Sequence, residues 1–221
     1  MATTRSSDAP PVPGKLAAYE RFQAALLSGA LQPGQFVSQR TLMQMLDLSI
    51  GALRELLPRL ETEGLLRVMP QRGIQITVVD LAMIRDAFGL RMALEREAVI
   101  VCVDRLADDI LHHQRRLHLD RLAVQTATDG FLDECQQIDT AFHQLLIDTT
   151  GNALLIRANA VNAIRIRLIN RDRIRLSAET LEQAFRDHLA VIDALLARDR
   201  GTAVAAMETH IRRSHSNAMQ G

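Results

Sequence analysis

The chain has 221 residues, and its 26 basic and 26 acidic side chains give a formal net charge of zero. Hydrophobic residues make up 48% of the sequence, which is typical of a globular protein and excludes a largely disordered chain. Zero net charge also excludes a polycation that coats nucleic acid nonspecifically, but it leaves room for a local basic surface.

Three sequence features bear on the cellular location. The first 13 residues are polar and proline-rich, without the apolar core of a signal peptide. No stretch approaches the ~18 apolar residues needed to cross a bilayer. Cys102 and Cys135 are too few for a disulfide framework, and we expect both to be buried free thiols. The sequence therefore predicts a cytoplasmic protein that does not associate with membranes.

The first third of the chain predicts a tail and three helices. We expect residues 1–13 to form a flexible tail. Apolar residues at helical spacing predict a helix over residues 15–28, followed by a Gln-Pro-Gly-Gln turn. Ser38 and Ser49 are suited to begin two further helices, because a serine hydroxyl accepts a free amide of the first turn. Gly64 is expected to end the second of these.

Two short strands complete this region. Residues 65–68 and 74–78 flank a turn, and the second segment alternates and is β-branched, which predicts a β-hairpin. Three helices followed by a hairpin is the plan of a winged helix-turn-helix domain, in which one helix enters the major groove of DNA and the hairpin lies beside it. We assign residues 14–79 to such a domain.

A set of residues in this domain is placed to contact DNA, at the start of the recognition helix, on the preceding helix and on the wing. The set comprises Arg40, Ser49, Gly51, Arg54, Arg72 and Gly73. Arg54 can donate two hydrogen bonds to a guanine edge. Arg72 can enter the minor groove, and Gly73 allows close approach of the backbone. Taken singly, each arginine is better explained as solvated surface.

The rest of the chain, residues 80–221, predicts only helices. Helical spacing of apolar residues continues throughout, and short polar segments divide it into about six helices joined by short loops. This pattern predicts an all-α antiparallel helical bundle. The whole protein is therefore expected to be mostly α.

Four side chains of the bundle are spaced to bind one metal ion. Asp139 and His143 are four residues apart on one helix, so they share a face about 6 Å apart along the axis. His188 and His210 lie at similar distances on either side of the turn near Arg200, which places them at similar heights on two antiparallel helices. Three imidazoles, one carboxylate and an open position suit Zn²⁺, with Ni²⁺ or Mn²⁺ as alternatives.

The other histidines are expected to lie elsewhere. His112, His113 and His118 precede or face arginine-rich segments, and we expect them to be solvated. His215 falls on a different helix face from His210. Since a lone helical histidine is more often structural or solvated than a ligand, the metal hypothesis depends on the set.

Residues 27–77 resemble the DNA-binding domain of the GntR superfamily. The resemblance is carried by GALQPGQFV at 29–37, LMQMLDLS at 42–49, LRELLPRLETEGL at 53–65 and RGIQI at 72–76. It favours DNA contact for the arginine set as a whole. The chain departs from the pattern at Ile50, where an arginine is usual, and at Gly51-Ala52 in place of Thr-Pro. The operator is therefore expected to differ from the usual one, or to be bound more weakly.

Residues 80–218 resemble the FCD domain of FadR-type regulators, an all-helical ligand-binding bundle. The resemblance is carried by RMALE at 91–95, DTAFH at 139–143, GN at 151–152, DHLAVIDAL at 187–195 and METHI at 207–211. In that family an aspartate and three histidines bind a divalent metal, and a small carboxylate effector completes its coordination. The resemblance therefore implies a metal site formed by Asp139, His143, His188 and His210.

An anionic effector also requires a fixed cation. Arg91 lies in the R-x-x-L-E motif of the family, and Arg165 lies on a later helix with Asn162 three residues earlier on the same face. Either arginine can clamp a carboxylate through two hydrogen bonds. An ion pair at the surface or within the bundle explains Arg165 equally well.

These observations predict a homodimeric transcription regulator that is not an enzyme. Two winged domains would bind double-stranded operator DNA, and a small organic acid would release the repressor by favouring a different state. Two alternatives stay open. The metal can be purely structural in a DNA-binding regulator, or the protein can be a metal-dependent hydrolase, for which Asp187 beside His188 is the candidate general base.

Overall fold

The computed structural model of the protein describes residues 15–124, 129–174 and 177–220. The elements in chain order are α1 (Lys15–Ser28), β1 (Phe36–Val37), α2 (Gln39–Leu46), α3 (Ile50–Thr62), β2 (Leu66–Met69), β3 (Gly73–Ile76), α4 (Leu81–Arg105), α5 (Asp108–Leu122), α6 (Asp129–Thr149), α7 (Ala153–Arg173), α8 (Ala178–Leu196) and α9 (Arg200–Gln220). The chain divides into two units between Val78 and Val79.

The N-terminal unit combines α1, α2 and α3 with a small antiparallel sheet, as expected for a winged helix-turn-helix. The sheet has the order β1-β3-β2, and Val68 of β2 pairs with Ile74 of β3. The predicted hairpin is confirmed, and β1 is an additional strand that the sequence pattern did not predict. Its two residues pair with β3, Val37 opposite Ile74, and a two-residue strand is too short for a period-2 pattern.

Serine caps and a leucine stripe explain the helix-turn-helix. The hydroxyl of Ser38 accepts from the amide of Thr41, and the hydroxyl of Ser49 accepts from the amide of Ala52, so both predicted caps are confirmed. Helix α3 buries a stripe consisting of Leu53, Leu56, Leu57 and Leu60. The opposite face of α3 therefore remains exposed.

The C-terminal unit contains six helices in the part of the chain that the structure describes, α4 to α9. Helix α4 packs against α6, α7 and α9, and α8 packs against both α5 and α9. Only residues 197–199 join α8 to α9, which makes the two helices antiparallel neighbours. Cys102 and Cys135 are buried free thiols, as predicted. No helix among the described residues has the length and apolar character required to cross a membrane.

Candidate DNA-contacting face and metal centre

The start of α3 presents polar groups on its exposed face. Ser49, Gly51 and Arg54 are all exposed there, opposite the buried leucine stripe. The hydroxyl of Ser49 is already used to cap α3. Of these three residues, Arg54 therefore has the longest side chain, and its guanidinium group is free to donate hydrogen bonds.

Among the described residues of the N-terminal unit, the three arginines predicted to contact DNA have unengaged guanidinium groups, and so does Arg67 on β2. Arg40, Arg54 and Arg72 are exposed, and within residues 15–124, 129–174 and 177–220 none of them makes a side-chain hydrogen bond or ion pair. By contrast, Arg21 and Arg59 are each bound by an acidic side chain. The unengaged set is available to phosphates and base edges without breaking an existing ion pair.

Gly73 has a structural explanation in addition to its predicted role at DNA. Its φ is +94°, and a Cβ built on it would lie 2.7 Å from the carbonyl oxygen of Val37. Both the left-handed backbone and the close approach of β1 require glycine at this position. Direct contact between Gly73 and DNA stays a prediction.

The four predicted ligands converge in the C-terminal unit. Asp139, His143, His188 and His210 offer ligand atoms that all lie within 4.8 Å of one another. His188 Nε2 lies 3.4 Å from His210 Nε2 and 3.6 Å from Asp139 Oδ1. With bonds of about 2.0–2.2 Å, neighbouring ligand atoms of a five- or six-coordinate ion lie about 2.8–3.8 Å apart, and such an ion keeps a position open for a further ligand. The donor set thus fits a divalent metal ion in its chemistry, and its atoms are spread slightly wider than a bound ion would hold them.

A fourth histidine orients His188, and here the sequence prediction was wrong. His118 was expected to be solvated, but its side chain is fully buried and its Nε2 lies 3.0 Å from His188 Nδ1. His118 Nδ1 lies 2.8 Å from the carbonyl oxygen of Gln114. Because a carbonyl only accepts, His118 Nδ1 donates, its Nε2 accepts from His188 Nδ1, and the lone pair of His188 Nε2 is left facing the cluster.

His143 is oriented by a buried ion pair. Its Nδ1 lies 2.7 Å from Glu95 Oε2, and its Nε2 lies 2.6 Å from Arg91 Nη2. Arg91 Nε donates to Glu95 Oε1 at 2.7 Å. Burial on its own would raise the pKa of Glu95, but the charge of Arg91 and the imidazole of His143 outweigh burial and lower this pKa to about 2. Glu95 is therefore a carboxylate at neutral pH.

His210 lies near Asp187, the carboxylate considered as a general base. His210 Nδ1 lies 3.6 Å from Asp187 Oδ2, and Asp187 also accepts from Arg213 and from Gln183. His188 and His143 thus have their outer nitrogens within hydrogen-bond distance of another side chain, an arrangement that fixes tautomers in protein metal sites, whereas His210 Nδ1 has no hydrogen-bond partner among the described residues.

Burial keeps two of the ligands neutral. Desolvation lowers the pKa of His188 well below its ordinary value, and neighbouring imidazoles lower it further. Desolvation likewise lowers the pKa of His210, although Asp187 opposes this shift. Neutral imidazole is the form that binds metals, so the site requires little proton release at pH 7.

A cavity of about 490 Å³, measured with its mouth, opens beside the cluster. Its lining includes Asp139 and His143 of the cluster together with Arg91 and Asn162, two of the three residues predicted to bind an effector. Arg165 does not line it; the neighbouring Arg167 does.

The two units match two protein families. Residues 15–76 match the bacterial regulatory proteins of the gntR family, and residues 86–213 match the FCD domain. The chain belongs to the GntR family. As a GntR-family protein with an FCD domain, it is a transcriptional regulator whose helix-turn-helix implies DNA binding and whose FCD domain implies a small-molecule effector.

Similar proteins agree with this assignment. The chain is 28% identical over 201 residues to the HTH-type transcriptional repressor GlaR of Escherichia coli, covering 87% of this chain and 90% of GlaR. It shares its fold with E. coli McbR/YncC, with a TM-score of 0.73, 20% identity, and coverage of 93% and 97% of the two chains. The metal-free FCD domain of TM0439 covers 65% of this chain and 96% of its own, with a TM-score of 0.54 and 19% identity.

Proposed function

We propose that this GntR-family regulator is a homodimeric repressor whose affinity for operator DNA falls when a small carboxylate binds at a metal ion in the FCD domain. The observation that carries the proposal is the convergence of Asp139 with the buried His143, His188 and His210, beside a cavity that Arg91 also lines. FCD domains often bind metal, and the similarity to the repressor GlaR favours repression.

The metal would be Zn²⁺, held by one carboxylate and three imidazoles, with Ni²⁺ or Mn²⁺ as alternatives. When bound, the ion supplies a positive charge and an open coordination position for an anionic oxygen. Arg91 supplies a second positive charge in the same cavity and is held there by Glu95. An anion is therefore favoured over a neutral or cationic ligand.

In the N-terminal unit, DNA contacts would come from Arg40, Arg54 and Arg72. Two copies of the N-terminal unit would place two recognition helices in successive major grooves of a near-palindromic operator. The protein would exist in two conformations, one that binds the operator tightly and one that binds it weakly. Effector binding changes operator affinity only if these two conformations bind the effector with different affinities, and such coupling is typically about 1–3 kcal/mol.

The direct test measures operator affinity with and without effector. Fluorescence anisotropy with labelled DNA from the upstream region of the protein's own gene would be recorded for the Zn²⁺-loaded protein, against a panel of small mono-, di- and hydroxycarboxylates. We expect one class of acid to weaken binding by about 5- to 150-fold, and a chelator to abolish the effect. Equal operator affinity at saturating concentrations of every acid would overturn the proposal.

The variant His188→Ala separates a regulatory metal from a structural one. A regulatory site predicts a folded protein that binds the operator and no longer responds to acid. A structural metal predicts loss of folding, which circular dichroism would detect. His112→Ala is the matched control, because His112 is an exposed histidine outside the cluster.

A further inference from the structure

The recognition helix α3 begins with an exposed apolar side chain. Ile50 is its first residue and is 43% exposed. Arg54 lies one turn further along the same face, with a free guanidinium group. In a helix-turn-helix domain, the N-terminal residues of the recognition helix contact the edges of the bases. Ile50 therefore occupies a position for base contact, although its side chain neither donates nor accepts a hydrogen bond.

The neighbours of Ile50 leave its side chain accessible. Ser49 caps the helix through its hydroxyl. Gly51 is exposed and has no side chain, and a Cβ built on it would meet only the Ser49 hydroxyl, at 3.8 Å, among the described residues. An isoleucine in a helix has one strongly preferred χ1 rotamer, so covering it costs little side-chain entropy. Ile50 thus presents a rigid apolar surface beside open space.

The chemistry of the major groove restricts what an isoleucine can contact there. Base edges present hydrogen-bond donors and acceptors, and the apolar group that protrudes among them is the 5-methyl group of thymine. An isoleucine placed over a donor or an acceptor excludes water and offers no partner in return, which is unfavourable. Placed over a thymine methyl, it removes apolar surface of both groups from water. An arginine has the opposite preference, because its guanidinium group donates to guanine.

We propose that Ile50 is a specificity-determining residue, which selects thymine in the operator through van der Waals contact with the 5-methyl group. This inference rests on the DNA-binding part of the proposed function and is independent of the metal and the effector. Ile50 and Arg54 are about 6 Å apart along the helix axis, which spans about two base pairs of DNA. The thymine is therefore expected within about two base pairs of the base that Arg54 contacts.

The test removes single methyl groups from the operator. Binding sites would be selected from random double-stranded DNA with the full-length protein, and each thymine would then be replaced in turn by uracil, which pairs alike but lacks the 5-methyl group. We expect the replacement under Ile50 to weaken binding about fourfold, as for the loss of one buried methyl group, measured by fluorescence anisotropy. In Ile50→Ala the same replacement should change affinity by less than about 1.5-fold, because the shorter side chain does not cover the methyl group.

The matched control is Ile110→Ala, which removes an exposed isoleucine from α5 in the C-terminal unit and should keep the sensitivity to uracil. If Ile50→Ala binds DNA too weakly for measurement, Ile50→Val, which removes a single methyl group, should show a smaller loss than the wild type. If no thymine is sensitive to uracil, or if the sensitivity is unchanged in the Ile50 variants, the inference is overturned while operator binding stands. If the wild-type protein selects no DNA sequence, the inference and the proposed function both fail.

Discussion

The two units of this protein place their functional side chains in opposite environments. In the N-terminal unit the arginines assigned to DNA are exposed and unengaged, and they stand on a scaffold held by buried leucines. In the C-terminal unit the cluster histidines, Arg91 and Glu95 are buried and bound to one another. The difference follows from the kind of ligand, because side chains that contact DNA must be exposed, whereas those that bind a small molecule must surround it.

This contrast has an energetic consequence. Exposed residues away from caps and ion pairs can be replaced with little effect on stability, usually within about 0.5 kcal/mol. Buried charged groups stabilise only as complete networks, and removing one member leaves another without a partner. Substitution of an exposed arginine in the N-terminal unit should therefore cost little stability, whereas substitution of one member of the buried Arg91-Glu95 pair should cost much more.

The largest effect is expected from breaking the buried ion pair. Arg91→Met should lower the free energy of unfolding by about 3–5 kcal/mol, because the buried Glu95 carboxylate loses the guanidinium charge and keeps only the His143 imidazole beside it. Urea denaturation followed by circular dichroism would measure the change.

The double variant Arg91→Met/Glu95→Gln should recover much of that loss, since it removes the orphaned charge. If Arg91→Met is as stable as the wild type, the ion pair contributes nothing to folding, and the proposed difference in stability effects between the two units is wrong.

The next effect concerns His118 and is smaller. His118→Phe keeps an aromatic ring against Phe142 and Phe185 but removes the acceptor for His188 Nδ1. We expect Zn²⁺ affinity to fall by about 10- to 100-fold, measured by chelator competition, and the visible spectrum of the Co²⁺-loaded protein to change. His118→Gln supplies a new acceptor and should restore part of the affinity. Unchanged affinity and spectrum in His118→Phe would exclude the orienting role.

In the N-terminal unit, Arg54→Ala should weaken operator binding by about 1–3 kcal/mol if the guanidinium reads a base. Stability should stay within about 0.5 kcal/mol of the wild type. Anisotropy and thermal unfolding would measure the two quantities. Arg186→Ala, which removes an exposed arginine from α8, controls for the change in net charge. A stability loss comparable to that of Arg91→Met would contradict the expected difference between exposed and buried arginines.

The smallest expected effect concerns the reactivity of the two buried cysteine thiols. Burial raises the pKa of the Cys102 thiol to about 11, so at pH 8 nearly all of it is protonated and unreactive. A thiol-specific reagent should modify neither Cys102 nor Cys135 in the native protein, and both after unfolding. Rapid modification of Cys102 in the native state would contradict the packing of α4.

The predictions from the sequence were confirmed where residues close together in the chain determine the structure. The caps Ser38 and Ser49, the leucine stripe of α3 and the hairpin follow from periodicity and from the hydrogen bonds of the first helical turn. The cluster of four ligands could also be predicted from the sequence. Asp139 and His143 share a helix face because they are four residues apart, and the short turn between α8 and α9 places His188 and His210 at similar heights.

The error at His118 has a physical cause. Its neighbours in the sequence are charged, so the segment resembles a solvated helix, whereas its burial comes from the packing of α5 against α8. One signal was available, since His118 is two helical turns from Leu111 and both belong to the buried face of α5. The role of Glu95 was missed for the same reason, because its partner His143 comes from another helix.

The most direct test of the account is the metal content of the purified protein. Metal-free, full-length protein would be equilibrated with Zn²⁺ and dialysed, and its zinc content would be measured by inductively coupled plasma mass spectrometry. The account predicts about one ion per chain for the wild type and for His112→Ala, and a loss of nearly all of it in His188→Ala with the fold retained. Equal zinc content in the wild type and in folded His188→Ala would contradict the assignment of the cluster, and so would the absence of zinc from both.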